Sequence, residues 1–338
     1  MSEFHVNVVR LGPFTKHPNA ETLDITKVFD YTVVAKQGNF KEGDLVVYVP
    51  IDSVVPDNEE WHWLAPVNSD GTERFPLGQL PEKYRLIEAK KIRGIFSQGC
   101  LAFLPQGEWS VGDDVAEVMG ITKYDPPVPM TTGGECEAPP RGWVIPTYTD
   151  IEGMRRYPDV LQEGEDVIIT EKLHGANARY VHDGERLWVG SHTQIKRRDP
   201  DVLWWQVAIA EELETKLAQA PNLVFFGEVY GQVQDLKYGV KSGARFAVFD
   251  VYDVKAQRYL DFNDAFDVAK SIGLKWVPIL AQGAWFSNLA SLCEGKSTLA
   301  DNVREGIVVR PIKERWNDQV GRVILKRHGE GYLLRKKK

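Results

Sequence analysis

Cysteine is scarce in this chain. There are three, Cys100, Cys136 and Cys293, and they lie far apart. An odd, widely spaced set gives neither a disulfide framework nor a paired-cysteine zinc pattern, and it suits a reducing compartment. Long apolar runs are missing too: no stretch approaches the roughly 18 residues that mark a membrane helix. The opening MSEFHVNVVR lacks the basic-then-apolar order of a secretory leader. Together these absences predict a cytoplasmic, intracellular protein with no membrane association. Excess positive charge is also lacking. Residues 1–150 hold 13 Lys and Arg against 22 Asp and Glu, residues 151–338 hold 28 against 26, and the whole carries −7. Neither part is the strongly basic protein that sequence-independent binding to a phosphate backbone favours. The seven histidines form no HExxH or similar metal spacing. Gly295-Lys296-Ser297 has the ending of a phosphate-binding loop, but Ala290 stands where its first glycine belongs.

What is present is an ordinary globular composition, 43% apolar and 26% charged, over 338 residues, a length that suits two domains. A Pro/Gly-rich stretch, DPPVPMTTGGECEAPPRG, runs from Asp125 to Gly142 without apolar periodicity and reads as a linker or long surface loop. The expected division is therefore 1–125, a linker over 126–145, and 146–338. The first part is a series of short β-branched runs (LDITKVFDYTVVAK, DLVVYVP, RLIEAKKIRG, GCLAFLP) with turns at Gly38-Asn39 and Gly43-Asp44. That spacing predicts a small Greek-key β-barrel of the OB type. The segments KKIRGIFSQGC and VGDDVAEVMGI resemble the barrel of tRNA-binding OB modules.

The second part mixes strands with helices. DVIITEKL, NLVFFGEVYG, RFAVFDVYD, REGIVVRP and GRVILKR read as strands, and ARYVHDGERLWVGS as a hairpin turned at Asp183-Gly184. One helix is expected over DVLWWQVAIAEELETKLAQA, opened by Pro200, and a second over FNDAFDVAKSIG, capped by Asn263 and ended by Gly273. The fold class is thus α+β, with an N-terminal OB-like barrel followed by antiparallel sheets flanked by helices. Two tryptophan pairs, Trp61 with Trp63 and Trp204 with Trp205, offer surfaces for stacking bases. The second pair falls within the expected helix, one ring packed inward.

The sharpest chemical signal is Glu171-Lys172-Leu173-His174-Gly175-Ala176-Asn177. A lysine at a strand end precedes a glycine that lets a ligand approach the backbone. Burial, a neighbouring cation or a bound metal would lower its pKa and make it a nucleophile. Further on come FFGEVYG with Glu228, RFAVFDVY with Phe249, REGIVVRP with Glu305 and VILKR with Lys326. Taken singly, each is more often a surface carboxylate, a core aromatic or a solvated lysine. In this order they resemble the motifs of ATP-dependent ligases and mRNA capping enzymes: lysine-x-(Asp/His)-Gly, aromatic-Gly-Glu, aromatic-Asp, Glu-Gly-hydrophobic and hydrophobic-Lys.

His174 and Asn177 resemble RNA ligases rather than DNA ligases, which usually carry Asp and Arg there. With an OB-like domain placed first, the chain resembles the Deinococcus-type RNA ligase family. That resemblance implies a nucleotidyltransferase domain using ATP and Mg²⁺ or Mn²⁺ to seal RNA 3′-OH and 5′-phosphate ends as a monomer. Lys172 would form lysyl-AMP and Lys326 would touch the α-phosphate. Phe249 would stack on adenine, and Glu171, His174, Gly175, Asn177 and Glu228 would complete the nucleotide site. Glu305, with Glu228, would meet the metal through water. Two positions depart from the pattern. Ser191-His192-Thr193 replaces the usual Ser-Arg-Thr, so His192, Lys196 or Arg197 would take the arginine's place against phosphate. His328 stands where a second lysine is common. Lys90, Lys91 and Arg93 are the candidate RNA contacts of the first domain. The alternatives are a DNA ligase, a capping-type guanylyltransferase, or a catalytically silent nucleic-acid-binding protein on the same scaffold.

Overall fold

The computed structural model describes residues 4–125, 133–139, 143, 145–149 and 151–335. Of the expected linker, 126–132, 140–142 and 144 lie outside the described residues. The chain divides into two compact units, Met1–Pro127 and Val128–Lys338. Residues 135–137 lie along the second unit, where Glu137 N–H donates to Ile195 and Arg197 N–H to Glu135.

In the first unit the β-branched runs form short strands: β1 (Asn7–Arg10), β2 (Leu23–Val28), β3 (Tyr31–Lys36), β4 (Leu45–Val49), β5 (Lys90–Ile92), β6 (Ile95–Ser97) and β7 (Cys100–Ala102). β1 and β7 flank β4, β2 pairs with β3, and β5 with β6, all antiparallel. Val8, Val47, Val49, Trp61 and Ile121 pack at the centre. The β5–β6 hairpin turns on Arg93 and Gly94, whose φ values of 48° and 95° are both positive, as a two-residue type I′ turn requires. Lys90, Lys91 and Arg93 stand exposed on this hairpin.

The second unit contains β8 (Asp166–Lys172), β9 (Ala176–His182), β10 (Leu187–Gly190), β11 (Leu223–Gly231), β12 (Ala244–Asp253), β13 (Ile279–Ala284), β14 (Gly306–Pro311) and β15 (Leu325–His328). One sheet runs Glu152–Gly153, β15, β14, β8, β13; the other runs Ile195–Lys196, β10, β9, β11, β12, Arg258–Tyr259. Pairing is antiparallel except at Glu152–Gly153, which runs parallel to β15. Helices α1 (Leu203–Ala210), α2 (Leu213–Leu217) and α3 (Phe262–Ser271) share a core with one face of the six-stranded sheet, among Phe225, Val229, Phe246, Val248 and Val251.

Three local expectations are corrected. The single helix over 201–220 is two helices, broken at Glu212, which adopts φ 54°. The break lets Trp204, Trp205 and Val207 on α1 and Leu213 and Leu217 on α2 all reach the core, so both tryptophans are buried rather than one. The cap of α3 is Asp261, not Asn263, because the helix starts early enough to bury Phe262. The hairpin between β9 and β10 has four loop residues, with Asp183 Oδ1 accepting the N–H groups of Glu185 and Arg186.

A buried charge cluster joins the two sheets. Asp250 of β12 is fully buried. Its carboxylate accepts from Arg310 of β14 at 2.8 Å and from the Tyr148 hydroxyl at 2.8 Å, and it lies 2.7 Å from Arg322. Glu314 meets both arginines. Burial disfavours the Asp250 carboxylate, but the two guanidinium groups outweigh it and hold its pKa below the usual range. Its stabilising contribution is therefore present above the ordinary carboxylate range and lost as pH falls through the depressed pKa. Removing the carboxylate leaves two buried cations to share Glu314 alone. Asp250→Ala should cost about 3–5 kcal/mol, read as a lowered midpoint in urea unfolding; a loss below about 1 kcal/mol would show that the cluster does not hold the sheets together.

Candidate active site

Strand geometry alone gathers the motif residues. On β8, Ile168, Thr170 and Lys172 share a face, because side chains alternate along a strand. Thr170 lies opposite Val308, and Val308 opposite Lys326, so Lys172 and Lys326 face the same side. On the other sheet, Asn177 of β9 lies directly opposite Glu228 of β11, where cross-strand side chains touch. A cavity of about 260 Å³ is lined by all four of these residues, with Glu171, His192, Phe249 and Tyr148.

Phe249 reaches it through a β-bulge. Phe226 pairs with Asp250 and Gly227 with Val248, which leaves Phe249 as the extra residue of β12. Consecutive strand residues normally face opposite ways; the bulge re-aims one of them. Hence Phe249 packs 4.8 Å from the Tyr148 ring while Asp250 contacts the same tyrosine's hydroxyl.

Three motif glycines serve close packing, not unusual backbone angles. A Cβ on Gly175 would lie 2.2 Å from the Val229 carbonyl oxygen, on Gly227 2.3 Å from that of Ala247, and on Gly306 2.1 Å from that of Arg327. No side chain fits at these distances.

Lys172 Nζ donates to Glu305 Oε1 at 2.6 Å. Burial opposes the ammonium, but Glu305 and Glu228 outweigh it and raise the lysine pKa. This reverses the expectation of a lysine depressed by burial or a cation. Glu305 is itself buried, which works against its charge, yet Lys172 foremost and then His328 hold it down to about 2. Burial pushes the Glu228 carboxyl up to about 8, with Lys172 opposing and Glu305 adding. His328 Nε2 lies 3.5 Å from Glu305 Oε1, and burial keeps its pKa low. His174 sits with Nε2 2.8 Å from Asp235 Oδ1 and Nδ1 3.1 Å from the Tyr332 hydroxyl, and burial lowers its pKa despite the nearby carboxylates. Arg335 forks onto Asp235 at 3.0 and 3.2 Å.

The expected residues separate into two groups. Lys172, Glu171, Asn177, Glu228, Phe249, Lys326 and His192 line one cavity; Glu305 joins through Lys172, and Gly175 through its contact with Glu228. Lys196 does not join them. It is 3% exposed, donates to Gln194 Oε1 and lies 5.5 Å from the Trp204 ring, so it is buried rather than presented at the surface. Arg197 is paired with Glu135. Sequence reasoning missed Tyr148 and Arg310, which line the pocket, Asp250 and Arg322, which hold them, and Asp235 and Tyr332, which hold His174. Only the aspartate of the aromatic-Asp pair carried a signal.

Three buried acceptors at the site have no hydrogen-bond partner among the described residues: Glu171 Oε1, Asn177 Oδ1 and Glu305 Oε2. A nucleoside brings amino and hydroxyl donors to such positions, and a hydrated cation brings water donors. No group of three His, Cys, Asp or Glu among the described residues forms a direct metal cage.

The raised Lys172 pKa has a measurable consequence. The amine stays protonated through neutral pH, and its ion pair contributes stability below the ordinary lysine range and loses it as pH rises through the raised value. Acetylation followed by mass spectrometry should find Lys172 slower than exposed lysines at neutral pH, and faster in Glu305→Gln. Equal rates in the two proteins would remove the pairing.

Residues 165–328 match the family model described as RNA ligase, and residues 6–104 match an OB-fold domain. Among solved structures the chain is similar to Naegleria gruberi RNA ligase with pyrophosphate, at 23% identity and a TM-score of 0.81 over 98% of each chain. It is also similar to a variant of that ligase with AMP and manganese, at 23% identity and a TM-score of 0.80 over 97% of each chain. An apo variant gives 25% identity and 0.79 over 98% of each. No curated protein matches. Among the described residues no helix is long and apolar enough to cross a membrane. Residues 165–328 carry the RNA ligase family's sequence pattern on a matching fold, and the chain is an RNA ligase enzyme with an N-terminal OB-fold domain.

Proposed function

We propose that this enzyme is an ATP-dependent RNA ligase of the Deinococcus type, which seals 3′-OH and 5′-phosphate ends at nicks through lysyl-AMP and RNA-adenylate intermediates, acting as a monomer. The observation that carries the reading is the convergence of Lys172, Glu228, Asn177, Phe249 and Lys326 on one cavity, with Glu305 2.6 Å from the lysine amine. Membership of the Deinococcus type is supported by His174, Asn177 and the leading OB-fold domain.

In the first step the Lys172 amine attacks the α-phosphorus of ATP. A P–N bond forms, the P–O bond to pyrophosphate breaks, and pyrophosphate leaves. The attacking amine must first lose its proton, so its pairing with Glu305 Oε1 has to loosen when nucleotide and cation bind. Phe249 and Tyr148 present ring faces to the adenine. Asn177 Oδ1 and Glu228 face the ribose, and Glu171 Oε1 offers an acceptor to the base. Lys326 stands over the α-phosphate and offsets charge as it develops. His192 takes the place of the usual arginine on the cavity wall. Glu305 Oε2, with Glu228, would hold Mg²⁺ or Mn²⁺ through water, and that cation supplies charge neutralisation for the triphosphate. The AMP then passes to the RNA 5′-phosphate, and the 3′-OH displaces it. Lys90, Lys91, Arg93 and Arg197 are the further RNA contacts.

Lys172→Ala should abolish covalent labelling by radioactive ATP on denaturing gels. Lys172→Arg should fail equally, because a guanidinium stays protonated. Labelling at the wild-type level in either variant excludes this lysine, and labelling by GTP in place of ATP favours the capping reaction.

Sealing should also depend on the sugar. A 2′-OH is the group that separates RNA from DNA at one position, and a site built to bond it leaves polar groups unpaired when it is missing. Nicks with ribose or deoxyribose placed separately on each side should show strong preference for ribose at the 3′-OH end. Equal sealing of both 3′ ends points to a DNA ligase.

A further inference from the structure

The first unit holds a cavity of about 580 Å³ that the adenylation chemistry leaves unused. β2, β3 and the β5–β7 region form its floor, and the segment from Glu60 to Leu64 closes one side. Its walls are aromatic. Trp63 is 64% exposed and Phe103 60%, and Phe103 packs against Phe40 at 4.9 Å between centroids. Trp61, also a wall residue, is buried, and its indole N–H has no acceptor among the described residues. Lys36 and Lys90 complete the lining.

Two facts narrow the occupant. Exposed aromatic rings lining one cavity attract flat, polarisable groups, and a donor without an acceptor calls for a ligand that is not hydrocarbon alone. Residues 1–127 carry 19 acidic against 12 basic side chains, so this unit is poorly suited to gripping a phosphate backbone by charge. An acidic domain that must hold RNA does so through bases, since stacking needs no net positive charge. We infer that this pocket receives an unpaired nucleobase of the RNA substrate, stacked on Trp63 beside Phe103, with Lys36 and Lys90 meeting the adjoining phosphates. The inference rests on the RNA ligase reading and adds a substrate feature to it, a base outside the duplex.

The test uses the full-length enzyme without ATP and a fluorescein-labelled nicked RNA duplex, either fully paired or with one unpaired nucleotide beside the nick. In fluorescence anisotropy the unpaired nucleotide should tighten binding about tenfold, as one stacked base does. Trp63→Ala should erase that advantage and Trp63→Phe should keep it. Both variants should label with AMP as wild type does, since Trp63 lies in the other unit from Lys172. Removing a largely exposed ring should leave the fold intact. No advantage from the unpaired nucleotide in wild type, or an advantage that survives Trp63→Ala, overturns the pocket. So does AMP that competes as well as the RNA strand, which would make this a mononucleotide site. A wild type that self-associates where Trp63→Ala does not would assign the pocket to a second copy of the chain. Failure of the ligase reading shows separately, as absent AMP labelling, because the anisotropy measurement requires no chemistry.

Discussion

Asp250 holds the catalytic unit together. One carboxylate, without exposure to solvent, meets Arg310 from one sheet, Arg322 beside that sheet's next strand, and the Tyr148 hydroxyl. Without it the two buried arginines would share Glu314 alone, so the sheets sit where Asp250 can reach both. The cavity is what remains between them above this point. Phe249 and Tyr148, two rings that line it, are fixed by the same cluster: one is Asp250's chain neighbour and the other is its hydrogen-bond donor.

A second ion pair works differently. Lys172 and Glu305 are held close by register alone, since Lys172 lies opposite Gly306. Their attraction keeps the Lys172 amine protonated. The neighbouring glycines make this possible, because any Cβ at Gly175 or Gly306 would collide with a carbonyl oxygen of the next strand. Conformational freedom is not the issue at either position; bulk is.

Much of this was legible in the sequence. Strands with β-branched runs appeared where expected, because a half-buried pleated surface selects those residues. Their motif residues converged, because strand alternation and antiparallel pairing leave few other arrangements. What stayed hidden depends on tertiary detail. The break at Glu212 has no breaker residue to announce it, and a helix-forming stretch yielded to the packing of two tryptophans. Lys196 looked like a surface cation, but a neighbouring glutamine and an indole ring absorb it. Tyr148 follows a proline-rich stretch without periodicity, and nothing local shows that its hydroxyl ends at Asp250. The direction of the Lys172 shift depends on Glu305 and Glu228, which are distant in sequence.

The bulge in β12 carries a consequence for which residues the sheet can spare. Residues on either side of Phe249 are out of phase with one another, yet each side matches β11 in full. Shortening the strand by one residue elsewhere would therefore turn a block of core side chains toward the wrong face. Loss of Phe249 alone would leave every other pair in step, with an uninterrupted ladder and both faces intact. The ladder has no need of this residue, whose ring instead packs on Tyr148 and lines the cavity.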